Sequence, residues 1–386
     1  MRRPTLVFLC LLASLAVAPA AAAGTPLLVG AAEDGAKQPD PVVAKAKMDL
    51  AKLAGFDAIR ITAIWTPTKR RLEGYDLLTL KNAALAAQLD GIRLIVAAFP
   101  AGSRVTPLTR VARAQFAAWT ASIARALPSV EDFVVGNEPN LNRFWMPQFT
   151  RRGTDSAAPA YEQLLARTYD ALKAVSPDIN VIGGAVSSRG GDDPLSPRPT
   201  HSPTRFILDL GNFYRGTGRT LPIMDAFVLH PYLDSSRQSP SFRHLKSTSV
   251  GIGDYSKLVS LLGQAFDGTA QRGSTLPILY GEFGVQTKIT SRKLRAYSNL
   301  KIRHPDAISE PDQARSYREA LGLASCQRNV MGLLFFHVSD EPNMAAWQSG
   351  LFYADDTPKS SLPAVRNAVQ AAIGGSLVDC AAQARR

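Results

Sequence analysis

Eight short runs of apolar residues recur along this sequence, and the stretches between them carry apolar positions three or four apart. The short runs fall at 26–31, 58–63, 93–98, 132–135, 180–184, 226–229, 277–280 and 332–336. They are rich in Val, Ile, Leu and Phe and do not alternate with polar residues, the pattern of parallel strands covered on both faces. The intervening patterns, at 44–53, 77–89, 113–126, 160–175, 204–214, 255–266, 312–325 and 363–373, have helical spacing. In the fourth, Tyr161, Leu164, Leu165, Thr168 and Leu172 form one stripe. Pro128, Pro177 and Pro222 each follow a helical pattern and precede an apolar run, where a helix stop belongs. Eight strands alternating with eight helices predict an α/β fold, a (β/α)8 TIM barrel in a single domain over 24–386. A doubly wound open sheet is the rival architecture. It is disfavoured because "LLVGAAEDGAK", at the first strand, lacks a glycine-rich phosphate turn. Long loops rich in Ser, Pro, Gly and Arg are expected after strands five, six and seven.

A barrel of this kind does its chemistry where the strands run into their C-terminal loops. Those strands and their ends supply Arg60 and Trp65 from strand two, and Asn137 and Glu138 in "VVGNEPNLNRFW" after strand four. Strand six gives His230 and Tyr232, strand seven Glu282 in "LYGEFG", and strand eight His337 and Trp347 in "FFHVSDEPNMAAW". Two carboxylates at one mouth are what hydrolysis of a glycosidic bond needs: one protonates the leaving oxygen, the other attacks or stabilises the oxocarbenium-like centre. Each remaining residue also has a structural reading. His230 and His337 can be satisfied core histidines, Trp65 and Trp145 can pack the barrel rather than stack on sugars, and Arg60 can simply neutralise an inward carboxylate.

On these motifs the chain resembles the large clan of retaining glycoside hydrolases built on the (β/α)8 barrel. "GNEPNLNRFW" is similar to the strand-four motif of the family holding β-xylosidases and bacterial exopolysaccharide hydrolases. The resemblance implies Glu138 as acid/base, Glu282 as nucleophile, and Asn137 as the partner of the sugar 2-hydroxyl. It implies Arg60, Trp65, His230, Tyr232, His337 and Trp347 around the substrate, with no cofactor and no metal. Arg60 and the Tyr232 hydroxyl would hold Glu282 ionised, while Glu138 keeps its proton until the leaving group needs it. Strand eight reads Phe335-Phe336-His337, without the tryptophan common there, so Trp347 would have to reach in from the loop beyond.

Composition narrows the alternatives. With 46% hydrophobic and 20% charged residues the chain is globular, not disordered. Met1-Arg2-Arg3, the apolar 5–17 and the small residues at 19–24 form a secretory signal over 1–23, cleaved near Ala22 or Ala23. A secreted protein with no stable membrane insertion is therefore expected, and nothing in the sequence asks for more than a monomer. Without Cys10, the cysteines Cys326 and Cys380 remain, and an oxidising compartment favours one disulfide between them. The formal charge of +12 admits anionic partners. No basic helix or aromatic-basic motif points to nucleic acid. The loop "SRKLRAYSNLKIRH", with Arg292, Lys293, Arg295, Lys301 and Arg303 and no acid, suggests an acidic glycan as substrate, although a basic protein has such loops in any case. A metal-dependent barrel would need His/Asp clusters with ligand spacing, and the five histidines show none. A catalytically silent carbohydrate-binding protein on the same fold is the alternative to an enzyme.

Overall fold

The computed structural model describes residues 24–383; the expected secretory signal, 1–23 with Cys10, lies outside the described residues. Eight parallel strands close into a barrel in chain order: β1 (Leu28–Ala32), β2 (Ala58–Trp65), β3 (Arg93–Pro100), β4 (Asp132–Val135), β5 (Asn180–Ser187), β6 (Ala226–His230), β7 (Ile278–Phe283) and β8 (Val330–Phe336). β8 pairs back onto β1 over Leu28–Ala32, so no edge is left open. The helices α1 (Pro41–Leu53), α2 (Gly74–Asp90), α3 (Arg110–Ala126), α4 (Ala157–Lys173), α5 (Pro203–Thr217), α6 (Tyr255–Phe266), α7 (Glu310–Ser325) and α8 (Leu362–Ile373) ring it, and a short α9 (Cys380–Gln383) follows. The expected single-domain (β/α)8 barrel is the observed fold.

The unbroken apolar strands follow from two separate cores. Ala58, Ile95, Ala97, Val134, Ile182, Val228, Leu279 and Leu334 meet inside the barrel. Their strand neighbours, among them Ile59, Val96, Phe133, Val135, Phe227 and Phe335, pack beneath the helices. Both faces are apolar because both are buried.

Several helices begin earlier than apolar spacing predicts, at Pro41 rather than 44 and at Glu310 rather than 312. The side chains of Asp40, Ser202 and Ser309 accept hydrogen bonds from the Val42, Arg205 and Asp312 N–H groups, and each of these three helices has a proline in its first turn. Such caps satisfy orphan N–H groups without contributing to the apolar period, so the period alone misses them.

Cys326, just past α7, is disulfide-bonded to Cys380 at the start of α9, with Cα atoms 5.3 Å apart. Among the described residues no helix is long and apolar enough to cross a membrane. Long loops follow β5, β6 and β7 as expected, and β8 leads into another at 337–361. That last loop is anchored by a fully buried ion pair, Lys359 Nζ to Asp340 Oδ1 at 2.7 Å, with Tyr297 donating to Asp340 at 2.7 Å.

Candidate active site

Strand alternation aims most of the site inward. On β2, Ala58 faces the barrel axis, so Arg60 two residues on does too; on β6, Val228 and then His230 follow the same rule. Glu282 is different. Tyr280 points out into the helix layer, where its hydroxyl donates to Gln327 at 2.6 Å, and strict alternation would send Glu282 after it. The register between β7 and β8 shifts between Tyr280 and Phe283, and this bulge turns Glu282 inward. The bulge runs close against β6: a Cβ on Gly281 would sit 2.4 Å from Val228 Cγ2.

Glu138 is placed by backbone conformations that side chains seldom adopt. Its φ is +40°, Gly136 before it has φ +93°, and Ala185 on the β5 bulge has φ +49°. The Glu138 N–H donates to the Ala185 carbonyl at 2.7 Å. Asn140, fully buried, locks this corner by accepting from Ser187 N–H at 2.9 Å and donating to the His201 carbonyl at 3.0 Å. Two non-glycine residues in the left-handed region carry strain of about 1–2 kcal/mol each, which concentrates where a side chain must be aimed.

These elements bring Glu138, His230 and Glu282 together, with one ligand-type atom from each lying within 4.8 Å of the others. His230, with no exposed surface, sits between the carboxylates: its Nδ1 is 3.2 Å from Glu138 Oε1 and 3.6 Å from Glu282 Oε2. Arg60, 3% exposed, donates from Nη2 to Glu282 Oε1, and the Tyr232 hydroxyl donates to Glu282 Oε2 at 2.9 Å. Burial opposes ionisation of Glu282, but the neighbouring His230 and Arg60 and the hydrogen bonds from Tyr232 and Arg60 outweigh it and hold the carboxyl below the ordinary glutamate value. Burial, then the charges of Glu282 and Glu138, push the Tyr232 hydroxyl well above the ordinary tyrosine value, so it remains a donor. A cation shared by Glu138, His230 and Glu282 would have to sit beside the Arg60 guanidinium, and that charge disfavours it.

Trp347 does reach the site from its loop. Its ring lies 4.9 Å from that of Tyr232 and meets Phe336 edge-on at 5.7 Å. Gln286 holds it there from the loop after β7, donating to the Ala346 carbonyl at 3.1 Å and accepting from Gln348 N–H at 2.8 Å. Asn137 is half-buried beside Glu138. His337 follows Phe336 at the end of β8, its Nδ1 2.9 Å from the Ala32 carbonyl. Burial lowers its pKa, but Glu341 and Glu33 more than offset this and leave it raised.

One expectation is corrected. Trp65 is 1% exposed, its Nε1 donates to the Lys69 carbonyl at 2.9 Å, and its ring packs edge-on against Phe116 at 5.8 Å. It is part of the core and offers no face to a sugar. Trp145, also 1% exposed, packs in the same way on Tyr161. The rim carries both signs: Lys293 pairs with Asp355 at 2.9 Å, and Glu33, Asp34, Glu341 and Asp356 gather beside His337 around a cavity of about 440 Å³.

The arrangement is a parallel (β/α)8 barrel with a carboxylate couple at its mouth, one member held by an arginine and a tyrosine. No protein-family profile and no curated protein matches the sequence. Solved structures do resemble it in fold. A GH39 enzyme from Xanthomonas axonopodis pv. citri superposes with a TM-score of 0.55 at 18% identity, over 90% of this chain and 67% of that one. A GH5_18 protein from Streptomyces cattleya, in complex with GlcNAc, gives 0.57 at 16%, over 91% and 81%. A monomeric β-xylosidase from Caulobacter crescentus CB15 gives 0.53 at 19%, over 90% and 69%. The fold is thus one shared with glycoside hydrolases.

Proposed function

We propose that the protein is a retaining glycoside hydrolase, exported and monomeric, that cleaves O-glycosidic bonds in a poly- or oligosaccharide. Glu282 attacks the anomeric carbon while Glu138 gives its proton to the departing oxygen, leaving a glycosyl ester on Glu282. Glu138, now a carboxylate, takes a proton from water, whose oxygen displaces Glu282 and restores both groups. Arg60 and Tyr232 keep Glu282 ionised and oriented, Asn137 meets the sugar 2-hydroxyl, His230 sets the spacing of the two carboxylates, and Trp347 floors the sugar.

The observation that carries this reading is the approach of Glu138 and Glu282 oxygens to within 4.8 Å. Retaining enzymes hold their carboxyl groups about 5–5.5 Å apart and inverting ones about 6.5–9.5 Å to admit a water, and nearest oxygens this close support the shorter separation. Glycoside hydrolases among the structures of similar fold support the substrate class.

The test takes the best activated aryl glycoside from a broad panel. Glu282→Gly should lose nearly all turnover and regain some with azide, giving the α-azide from a β-glycoside. Glu138→Ala should still form the glycosyl-enzyme, because the activated leaving group needs no proton, and azide should then give the β-azide. Inverted product configuration by NMR would overturn the retaining mechanism. Glycan binding without turnover across the panel would return the protein to a silent binder.

A further inference from the structure

On the flank of the barrel, between α3 and α4 and lined by none of the active-site residues, runs a groove of about 830 Å³. Alanines of both helices form its floor, and a second groove of about 380 Å³ continues it past Arg110 and Arg167 to Arg70. A strip of small residues is only packing unless something else marks it, and here two features do.

The first is the state of the arginines. Arg70, Arg110, Arg113 and Arg167 line the joined grooves, and none has an ion pair with a carboxylate among the described residues; Arg113 donates only to the Leu108 carbonyl. Arg219, at the far end, shows what satisfaction looks like, with both terminal nitrogens on Asp170 at 3.0 and 2.5 Å. Burial and the like charge of Arg167 hold the Arg113 guanidinium below its ordinary value. Crowded cations lacking a counter-charge gain from an anion that bridges them.

The second is Glu162. It lines the groove, is 2% exposed, and makes neither a hydrogen bond nor an ion pair among the described residues. Burial pushes its carboxyl up to about 7 against the pull of Arg219 and Arg113. In neutral or mildly acidic solution it presents a proton to the groove, able to bond a carboxylate or hydroxyl oxygen.

Four arginines spread along two joined grooves match a ligand with repeated negative charge better than a single ion. Arginine forks match carboxylates, and the alanine floor leaves room for sugar rings. Among the described residues no aromatic side chain lines either groove, and single-stranded nucleic acid binds on aromatic stacking platforms. We infer that the α3–α4 flank is a secondary binding site for a uronate-bearing polysaccharide, which it would hold while the mouth acts elsewhere on the same or a neighbouring chain. Such tethering raises the local substrate concentration without any new contact at the catalytic pair. The choice of a glycan as the polyanion rests on the proposed function; the binding itself does not.

Affinity electrophoresis of the full chain in gels containing polygalacturonate tests this, with dextran gels as the neutral control and a DNA duplex as competitor. The wild type should be retarded by polygalacturonate and not by dextran, at low salt and pH 6. Arg113→Ala/Arg167→Ala should weaken the retardation at least tenfold, while turnover of a small aryl glycoside stays unchanged. Arg110→Ala/Arg167→Ala removes only exposed side chains and should weaken it comparably, which covers a folding defect in the first variant. Equal retardation of the variants and wild type, or none of the wild type, would overturn the inference. So would competition by DNA as effective as that by polygalacturonate fragments, which would make the flank an unselective polyanion surface. Retardation lost in the variants, with no glycoside hydrolysed by any form, would sink the catalytic reading and leave this one standing.

Discussion

Arg60→Met isolates what the guanidinium does for Glu282. Arg60 is almost completely buried, its Nη2 faces Glu282, and its Nε and Nη1 have no hydrogen-bond partner among the described residues. Methionine keeps most of the apolar stem and removes the charge. Leaving one partner of a buried pair uncompensated costs about 3–5 kcal/mol. Glu282 can avoid that penalty by taking a proton. At pH 7 this costs about 3.7 kcal/mol, from 1.36 kcal/mol per pH unit and an ordinary glutamate pKa of about 4.3. The cheaper route sets the loss, so about 3–4 kcal/mol is expected at neutral pH, less whatever His230 and Tyr232 still supply. The sign with pH follows. In the wild type the Glu282 carboxyl is held low, so its contribution is present above the unfolded value and disappears as pH falls through the folded one. In the variant the shift reverses, and the folded state is penalised increasingly as pH rises above about 4. Urea titrations at pH 4.5 and 7.5 should therefore show a gap between wild type and variant that is large at 7.5 and mostly closed at 4.5. The acid limb of kcat/KM on an activated aryl glycoside should move up by at least one pH unit, and Arg60→Lys, a point charge without the fork, should restore part of it. A stability loss equal at both pH values with an unmoved acid limb would refute the account, because Arg60 would then be a packing residue.

Three further outcomes follow from other parts of the molecule. Trp347→Ala removes the ring that faces Tyr232 and should lower kcat/KM about 10–100-fold, mainly through KM, the loss expected for about 1.5–3 kcal/mol of apolar contact; a Tm within a degree of wild type would show that the loss is local. Cys380→Ser opens a loop with a sequence separation of 54, worth about 4 kcal/mol by chain entropy, and should lower Tm by about 5 °C, with reductant producing the same drop in the wild type and none in the variant. Glu162→Gln should stabilise the fold at pH 8 and leave it unchanged at pH 4. The folded carboxyl, pushed up to about 7, is penalised only once pH rises above the unfolded value, and the full effect is about 3 kcal/mol at most; equal urea midpoints of the two proteins at pH 8 would contradict it.

Much of this was legible in the chain because a closed parallel sheet leaves a simple mark. Every strand is buried twice over, so eight apolar runs without alternation predict the barrel. The ends of those runs then name Glu138, His230 and Glu282, because the C-terminal rim is fixed by topology rather than by detail, while Arg60 lies within β2 and faces the axis with Ala58. Trp65 shows the limit. It too ends a strand, but its ring turns outward onto Phe116 under α3, and the residue type could not reveal which way it faced. Glu282 shows the same limit with the opposite outcome: counted by twos from Tyr280 it points away from the site, and only a bulge that no residue pattern announces brings it in.

What the sequence could not convey is how the rim is held. Asn140, Gln286, Gln348, Asp340 and Lys359 read as ordinary polar loop residues, yet all are buried, and each ties one loop to another, Asp340 through Tyr297 and Lys359 through Thr287. Leaving them unpaired in the interior would cost about 1–3 kcal/mol per group, more for the ion pair, so the loops must close together or not at all. The basic loop after β7 illustrates the consequence. Taken alone it is a run of cations, and beside the loop after β8 its Lys293 acquires Asp355 as a counter-charge. Arg70, Arg110, Arg113 and Arg167 lack such a counter-charge among the described residues and lie together along joined grooves, on α3, on α4 and in the loop before α2, where apolar periodicity marks only packing. A charge in a sequence becomes a binding feature through what the fold places around it, and the α3–α4 flank adds to its unpaired arginines a groove and the buried carboxyl of Glu162.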